Sequence, residues 1–155
     1  MKKYLLILLL SILVLTSCQS AKTIYYQYNG VTITRIDRGN EIFFYYGKLE
    51  LSKDLENEPY IRAWYKGLNS GMGAYLIFKS DKSIEIRRIY DSFEEVGNNS
   101  HLRLTEYMEN YKFIEWQDSI KGKFENVVYV SDIIENEKIK NVENNSKVKA
   151  IYSTR

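Results

Sequence analysis

The chain has 155 residues, with 22 Lys and Arg against 20 Asp and Glu, a single His and a single Cys. So close a balance, with both signs interspersed, gives no field to gather a polyanion, and nucleic acid is excluded as a main partner. One thiol and one imidazole leave no disulfide, no cysteine-based metal site and no dithiol exchange, and a zinc site would need three carboxylates beside His101. No cofactor is expected.

The first 17 residues read as a leader. Lys2 and Lys3 give a positive start, twelve largely apolar residues follow from Tyr4 to Leu15, and Thr16, Ser17 and Cys18 close the run. That order is the one of a secretory signal, and it is too short for a bilayer span, which takes about 20 apolar residues. The stretch Leu15-Thr16-Ser17-Cys18 resembles the bacterial lipobox, a Leu, two small residues and an obligatory Cys. The resemblance implies acylation of the Cys18 thiol, cleavage before it and acylation of the freed amine. Two or three acyl chains, at ~0.8 kcal/mol per buried CH₂, hold a protein stably at a membrane. The implied location is the bacterial cell envelope. Gln19, where an Asp would resemble an inner-membrane retention signal, points to the outer membrane. The expected division is a signal over 1–17, an acylated Cys with a short tether over 18–22, and one β-rich domain over 23–155.

Within that domain tyrosine is abundant and proline almost absent, a composition suited to half-buried pleated strands. Strand patterns at 23–28 and 31–36 flank Asn29-Gly30, a strong hairpin signal. After the turn Arg38-Gly39-Asn40, an aromatic strand over 41–51 completes a meander. Residues 52–59 are charged, end in the only Pro and read as a loop. A strand over 60–66 is followed by the Gly-rich connection 67–73, and strands over 74–79 and 83–90 pair across Ser80-Asp81-Lys82. Residues 91–100 read as a second loop. Thr105 is placed as the cap of a short helix that carries Leu104, Met108 and Tyr111, with a strand through Leu102, Leu104 and Tyr107 competing. Further strands are expected over 113–116, 123–130, 133–140 and 148–152. The fold class is therefore mainly β, an antiparallel β-sandwich or small barrel of about nine strands with at most one short helix.

Two strands break their own alternation. Val31 and Ile33 share a face on which Arg35 replaces Ile36, and Ile84 and Ile86 share a face on which Arg88 replaces Ile89. A β-bulge near each arginine would restore the apolar face. Without bulges, Arg35 and Arg88 point inward and suggest an anion-binding interior.

Catalytic kits are thin. His101, among Asn98, Asn99 and Ser100, reads as loop decoration. The pairs Glu56 and Glu58, Glu94 and Glu95, and Glu135 and Glu137, with Glu115 beside Trp116, leave a carboxylate hydrolase as a minor alternative, since glycoside hydrolysis needs two carboxylates across a sugar. Aromatic excess is the stronger hint. Adjacent pairs such as Tyr25-Tyr26 and Tyr45-Tyr46 place one ring on each face of a strand, so a Tyr-rich surface is expected around Tyr45, Tyr46, Trp64 and Tyr65, with Arg88 as a further binding residue. The expected function is a non-enzymatic, membrane-anchored accessory subunit that binds another envelope protein. The alternative is a lipocalin-like carrier of a small ligand or glycan.

Overall fold

The computed structural model describes residues 21–50, 55–64, 73–88, 92–105, 110–120, 122, 125–131 and 133–153. Six strands form one antiparallel sheet: β1 (Lys22–Tyr28), β2 (Val31–Arg38), β3 (Glu41–Tyr46), β4 (Tyr60–Trp64), β7 (Phe93–Val96) and β10 (Lys149–Ser153), in the order β10-β1-β2-β3-β4-β7. The smaller sheet runs β8-β6-β5-β9, from β5 (Gly73–Phe78), β6 (Ile84–Arg88), β8 (Leu102–Leu104) and β9 (Val127–Ser131); only β8 joins its neighbour in parallel. Helix α1 (Asn110–Ile120) and helix α2 (Ile134–Glu143) complete the fold with a 3-10 turn at Leu55–Asn57. The protein is thus mainly β, in two sheets. None of the helices among the described residues is long and apolar enough to cross a membrane.

The meander forms as its turn residues dictate. Asn29 and Gly30 hold φ 47° and 77°, the pair of positive angles a two-residue type I′ turn demands. The two sheets meet through the inward rows. Ile24, Tyr26, Ile33, Phe44 and Ile61 of the large sheet interdigitate with Leu76, Phe78, Ile84, Ile86, Leu102, Val128 and Val130 of the small one in a single apolar core. Parts of the outer faces are covered too. Ile36, Tyr45 and Leu55 form a second cluster beneath the 3-10 turn, joined by Leu49 and Tyr60. On the small sheet, Tyr75, Ile77, Val127 and Tyr129 pack under Trp116 of α1.

Several local expectations are corrected. Residues within 113–116 and 133–140 are helical rather than extended, since short apolar runs do not distinguish a period of 2 from one of 3.6. The 91–100 segment contains β7, which pairs with β4 from Tyr60↔Val96 to Ala63↔Phe93. The Thr105 N–H and hydroxyl both donate to the Ile86 carbonyl, at 3.0 and 3.1 Å, and so prolong the β6–β8 ladder. The competing strand is present at Leu102–Leu104, and the helix begins at Asn110. Residues 106–109, including Met108, lie outside the described residues.

The expected bulges are also absent from the described ladders. The β1–β2 register runs unbroken from Lys22↔Asp37 to Tyr28↔Val31, and the β2–β3 register from Ile33↔Tyr46 to Arg38↔Glu41. Arg35 therefore faces inward, in the row of Val31 and Ile33. Arg88, paired with Ala74 at the end of β6, stays in the inward row as well, half-buried, its Nη1 donating to the Phe93 carbonyl at 3.4 Å.

Candidate functional site

Arg35 is the largest fully buried side chain described, at 0% exposure. A lone buried charge would be prohibitively unfavourable, and the surroundings show how it is balanced. Its Nε and Nη2 donate to the two carboxylate oxygens of Asp37, at 2.6 and 2.9 Å, in a bidentate fork. Two residues apart on one strand, Arg35 and Asp37 share the inward face, so the alternation itself builds this pair. Nη1 donates to Glu137 Oε2 at 3.0 Å and to the Tyr26 hydroxyl at 3.3 Å. Tyr26 in turn donates to Glu137 Oε1 at 2.9 Å, and the Ser131 N–H donates to Oε2 at 3.2 Å.

All three guanidinium nitrogens are engaged, so the inward arginine leaves no fork open to an anion. The interior charge is answered from within the chain. Burial works against the charge on Arg35, but Tyr26, Asp37 and Glu137 outweigh it and hold the group above the ordinary arginine range. Burial also raises the Tyr26 phenol well above its usual value. Glu137 is raised as well: burial is the main cause, opposed by Arg35, Tyr26 and the Ser131 N–H. Tyr152 on β10, 38% exposed, is raised by its own partial burial and by the nearby Glu137 charge.

The cluster fixes α2 in place. Ile134, Glu137 and Asn141 recur at helical spacing on its inner side. Ile134 packs on the core, Glu137 enters the charge cluster, and Asn141 meets β9. The Asn141 side chain accepts from the Tyr129 N–H at 2.6 Å and donates to the Tyr129 carbonyl at 2.9 Å. An edge strand's outward backbone groups are normally a template for another strand. Here a carboxylate and an amide one helical turn apart occupy them, on Ser131 and Tyr129.

The residues expected to form a binding surface are dispersed. Tyr45 is 5% exposed and enclosed by Leu55 and Tyr60, so its ring serves packing rather than recognition. Tyr46 is half-buried at the opposite end of the sheet from Trp64, stacked on His101 with centroids 5.0 Å apart and donating to the Lys82 carbonyl. Trp64 is half-buried beside the Arg62 guanidinium. Tyr65 lies outside the described residues. Tyr25, on the outer face, donates to the Leu49 carbonyl at 3.1 Å. Among the described residues no three His, Cys, Asp or Glu side chains gather as metal ligands. The buried carboxylate the fold brings to Arg35, Glu137, meets Asp37 there, a pairing that joins β2 to α2, and on the outer face Glu41 and Glu94 meet at Arg62; each pair is committed to its arginine.

Arg35 stands out in the sequence as a charge in an apolar row, whereas its partners do not. The signal for Glu137 is its helical spacing with Ile134 and Asn141, which a strand reading of 133–140 hides. Comparisons with protein-family models, with curated proteins and with solved structures find no match.

Exposed apolar side chains are concentrated in α2 with its entry and in β10. The large apolar side chains most exposed are Val142, Ile139, Ile133, Ile114, Tyr152 and Ile151. All but Ile114 belong to α2, its entry, or β10.

Proposed function

We propose that this protein is a lipid-anchored, non-enzymatic subunit of the bacterial envelope, held by Cys18 at a membrane and acting by binding another envelope protein. The lipobox Leu15-Thr16-Ser17-Cys18 is the observation that carries it. The binding surface favoured by the geometry is the α2–β10 flank rather than the Tyr-rich strands. Apolar side chains left exposed together mark interaction surfaces more often than isolated ones do. Val142 is 82% exposed and Ile139 52%, three residues apart on the outer side of α2. Beside them β10 is an edge strand. Among the described residues no strand pairs with its side away from β1, so its backbone groups suit strand addition by a partner. A lipocalin-like carrier would need an interior that Ile, Phe and Tyr side chains occupy here.

A photo-crosslinking residue at Val142 or Ile151, in intact cells, tests the reading against the same residue at Lys82 on the opposite end. One envelope protein captured at both flank positions, and no longer co-purified after Val142→Asp with the melting curve unchanged, is the expected result. Equal capture at Lys82, or none anywhere, counts against it.

A further inference from the structure

We propose that the Lys22 end of the sandwich rests against the bilayer surface that holds the acyl chains, with Lys22, Arg38, Trp64 and Ile133 as its contacts. The inference rests on the lipoprotein reading. Lys22 lies four positions after Cys18, and a chain spans at most about 3.3–3.6 Å per residue, so β1 starts within about 14 Å of the acylated Cys. The longest strand, β2, has 8 residues and rises about 26 Å. The tether is therefore short against the height of the domain, and one end is held at the membrane.

The register says which residues share that end. Lys22 stands opposite Asp37, Arg38 opposite Glu41, and Glu41 opposite Trp64. Ile133 follows the end of β9, where the Ser131 N–H meets Glu137, itself bound to Arg35 beside Asp37. Ile133 is 52% exposed. Arg38 is exposed, while Lys22 and Trp64 are half-buried.

Two cations, each opposite a carboxylate (Asp37 and Glu41), together with an indole and an exposed aliphatic side chain, suit a headgroup zone that carries both ammonium and phosphate groups. Tryptophan favours the membrane–water boundary, and each Lys or Arg near an anionic surface contributes about 1 kcal/mol. The opposite end carries Asn29-Gly30, Asp81, Lys82, Asn99 and His101, a polar set. Docked in this way, the domain stands upright and turns its α2–β10 flank sideways, toward neighbours in the same membrane.

The test uses full-length protein expressed in a bacterial host, extracted from membranes and placed in phosphatidylethanolamine–phosphatidylglycerol vesicles bearing a nitroxide headgroup quencher. The chain has two tryptophans, so Trp116→Phe leaves Trp64 as the sole indole. A second variant, Trp64→Phe with Trp116→Phe and His101→Trp, moves the indole to the far end. The expected result is strong quenching of Trp64 and little at position 101, with Trp64 quenching reduced by Lys22→Glu with Arg38→Glu and by added salt. Equal quenching at both ends means a freely tumbling domain. Stronger quenching at position 101 means the reverse orientation. Trp64 quenching that neither salt nor charge reversal changes means mere proximity to the tether. Protection of Trp64 by a co-purifying protein means that a protein, not lipid, covers this end. Each of these overturns the docking. Mass spectrometry of the same samples separates the two failures: an unmodified Cys18 overturns the lipoprotein reading itself, while acylated Cys18 with any of the outcomes above overturns only the docking.

Discussion

Arg35 and Arg62 lie two strands apart in the same sheet, and each bridges two carboxylates. Arg35 holds Asp37 and Glu137 from the inward row at 0% side-chain exposure. Arg62 holds Glu41 and Glu94, at 3.4 and 2.5 Å, from the outward row at 35% exposure. The contacts look alike, but their consequences differ. Outside, water and salt screen the charges, and each long side chain loses rotamer freedom when it pairs, so the net gain is small. Inside, removing one partner leaves a charge with nothing to answer it. What the pair teaches is that environment, rather than contact geometry, ranks these interactions.

The sharpest way to break the comparison is Arg35→Met, which strands Glu137 in the core and is expected to destabilise the fold by about 3–5 kcal/mol. Urea denaturation followed by far-UV circular dichroism reads the change. The double variant Arg35→Met with Glu137→Leu should recover most of that loss, because a packed apolar pair of similar volume is often as stable as a buried ion pair. Asp37, 24% exposed, can then reach water. If the double variant is no better than the single one, charge neutralisation is not what the cluster provides.

Glu137→Gln keeps the shape and one acceptor, and should cost about 1–3 kcal/mol. Its pH dependence sharpens the contrast. Burial raises the Glu137 carboxyl above its ordinary 4.5, so just above that value the native state keeps a proton that the unfolded chain has released. Rising pH across this window removes stability contributed by Glu137. The gap between the parent protein and Glu137→Gln should narrow as pH rises. Glu85 runs the other way: despite burial, Lys79 and Arg87 hold it below its usual range, and its contribution is lost as pH falls. The difference between the two proteins is therefore the quantity to follow.

Asn141→Ala removes both bonds to Tyr129 and should cost about 1–3 kcal/mol, with faster amide exchange at β9 as the local signature. Arg62→Ala should give the smallest change of all, and it should shrink further in salt. An Arg62 effect as large as that of Arg35 would end the distinction.

The meander, its turns and the β-rich class were legible because they are written locally. Asn29-Gly30 fixes one turn, and the alternation of Ile24, Tyr26 and Tyr28 against Tyr25 and Gln27 marks a pleated strand. Arg35 was legible as an anomaly, since it occupied an apolar row. Its resolution was not local: an inward charge needs a partner, and Glu137 lies 102 residues away. Helix α2 was missed because Ile133, Ile134, Ile139 and Val142 satisfy a loose strand pattern, while the inner-side residues that settle the period are the polar Glu137 and Asn141. The burial of Tyr45 was hidden for a related reason. Alternation correctly put Tyr25 and Tyr26, and Tyr45 and Tyr46, on opposite faces, but whether a face is covered depends on distant segments such as the Leu55 turn.

The span between Arg35 and Glu137 also orders events in time. A chain that emerges N-terminus first presents its guanidinium long before the carboxylate that neutralises it, and Tyr26 waits 111 residues for the same oxygen pair. Pairings this distant in sequence close late and slowly. The meander alone would hold an exposed, half-answered charge, so the complete sandwich is favoured only once α2 has arrived. For the exported chain proposed above, such a late-arriving partner would be a delay that keeps the polypeptide pliable until most of it has crossed the membrane.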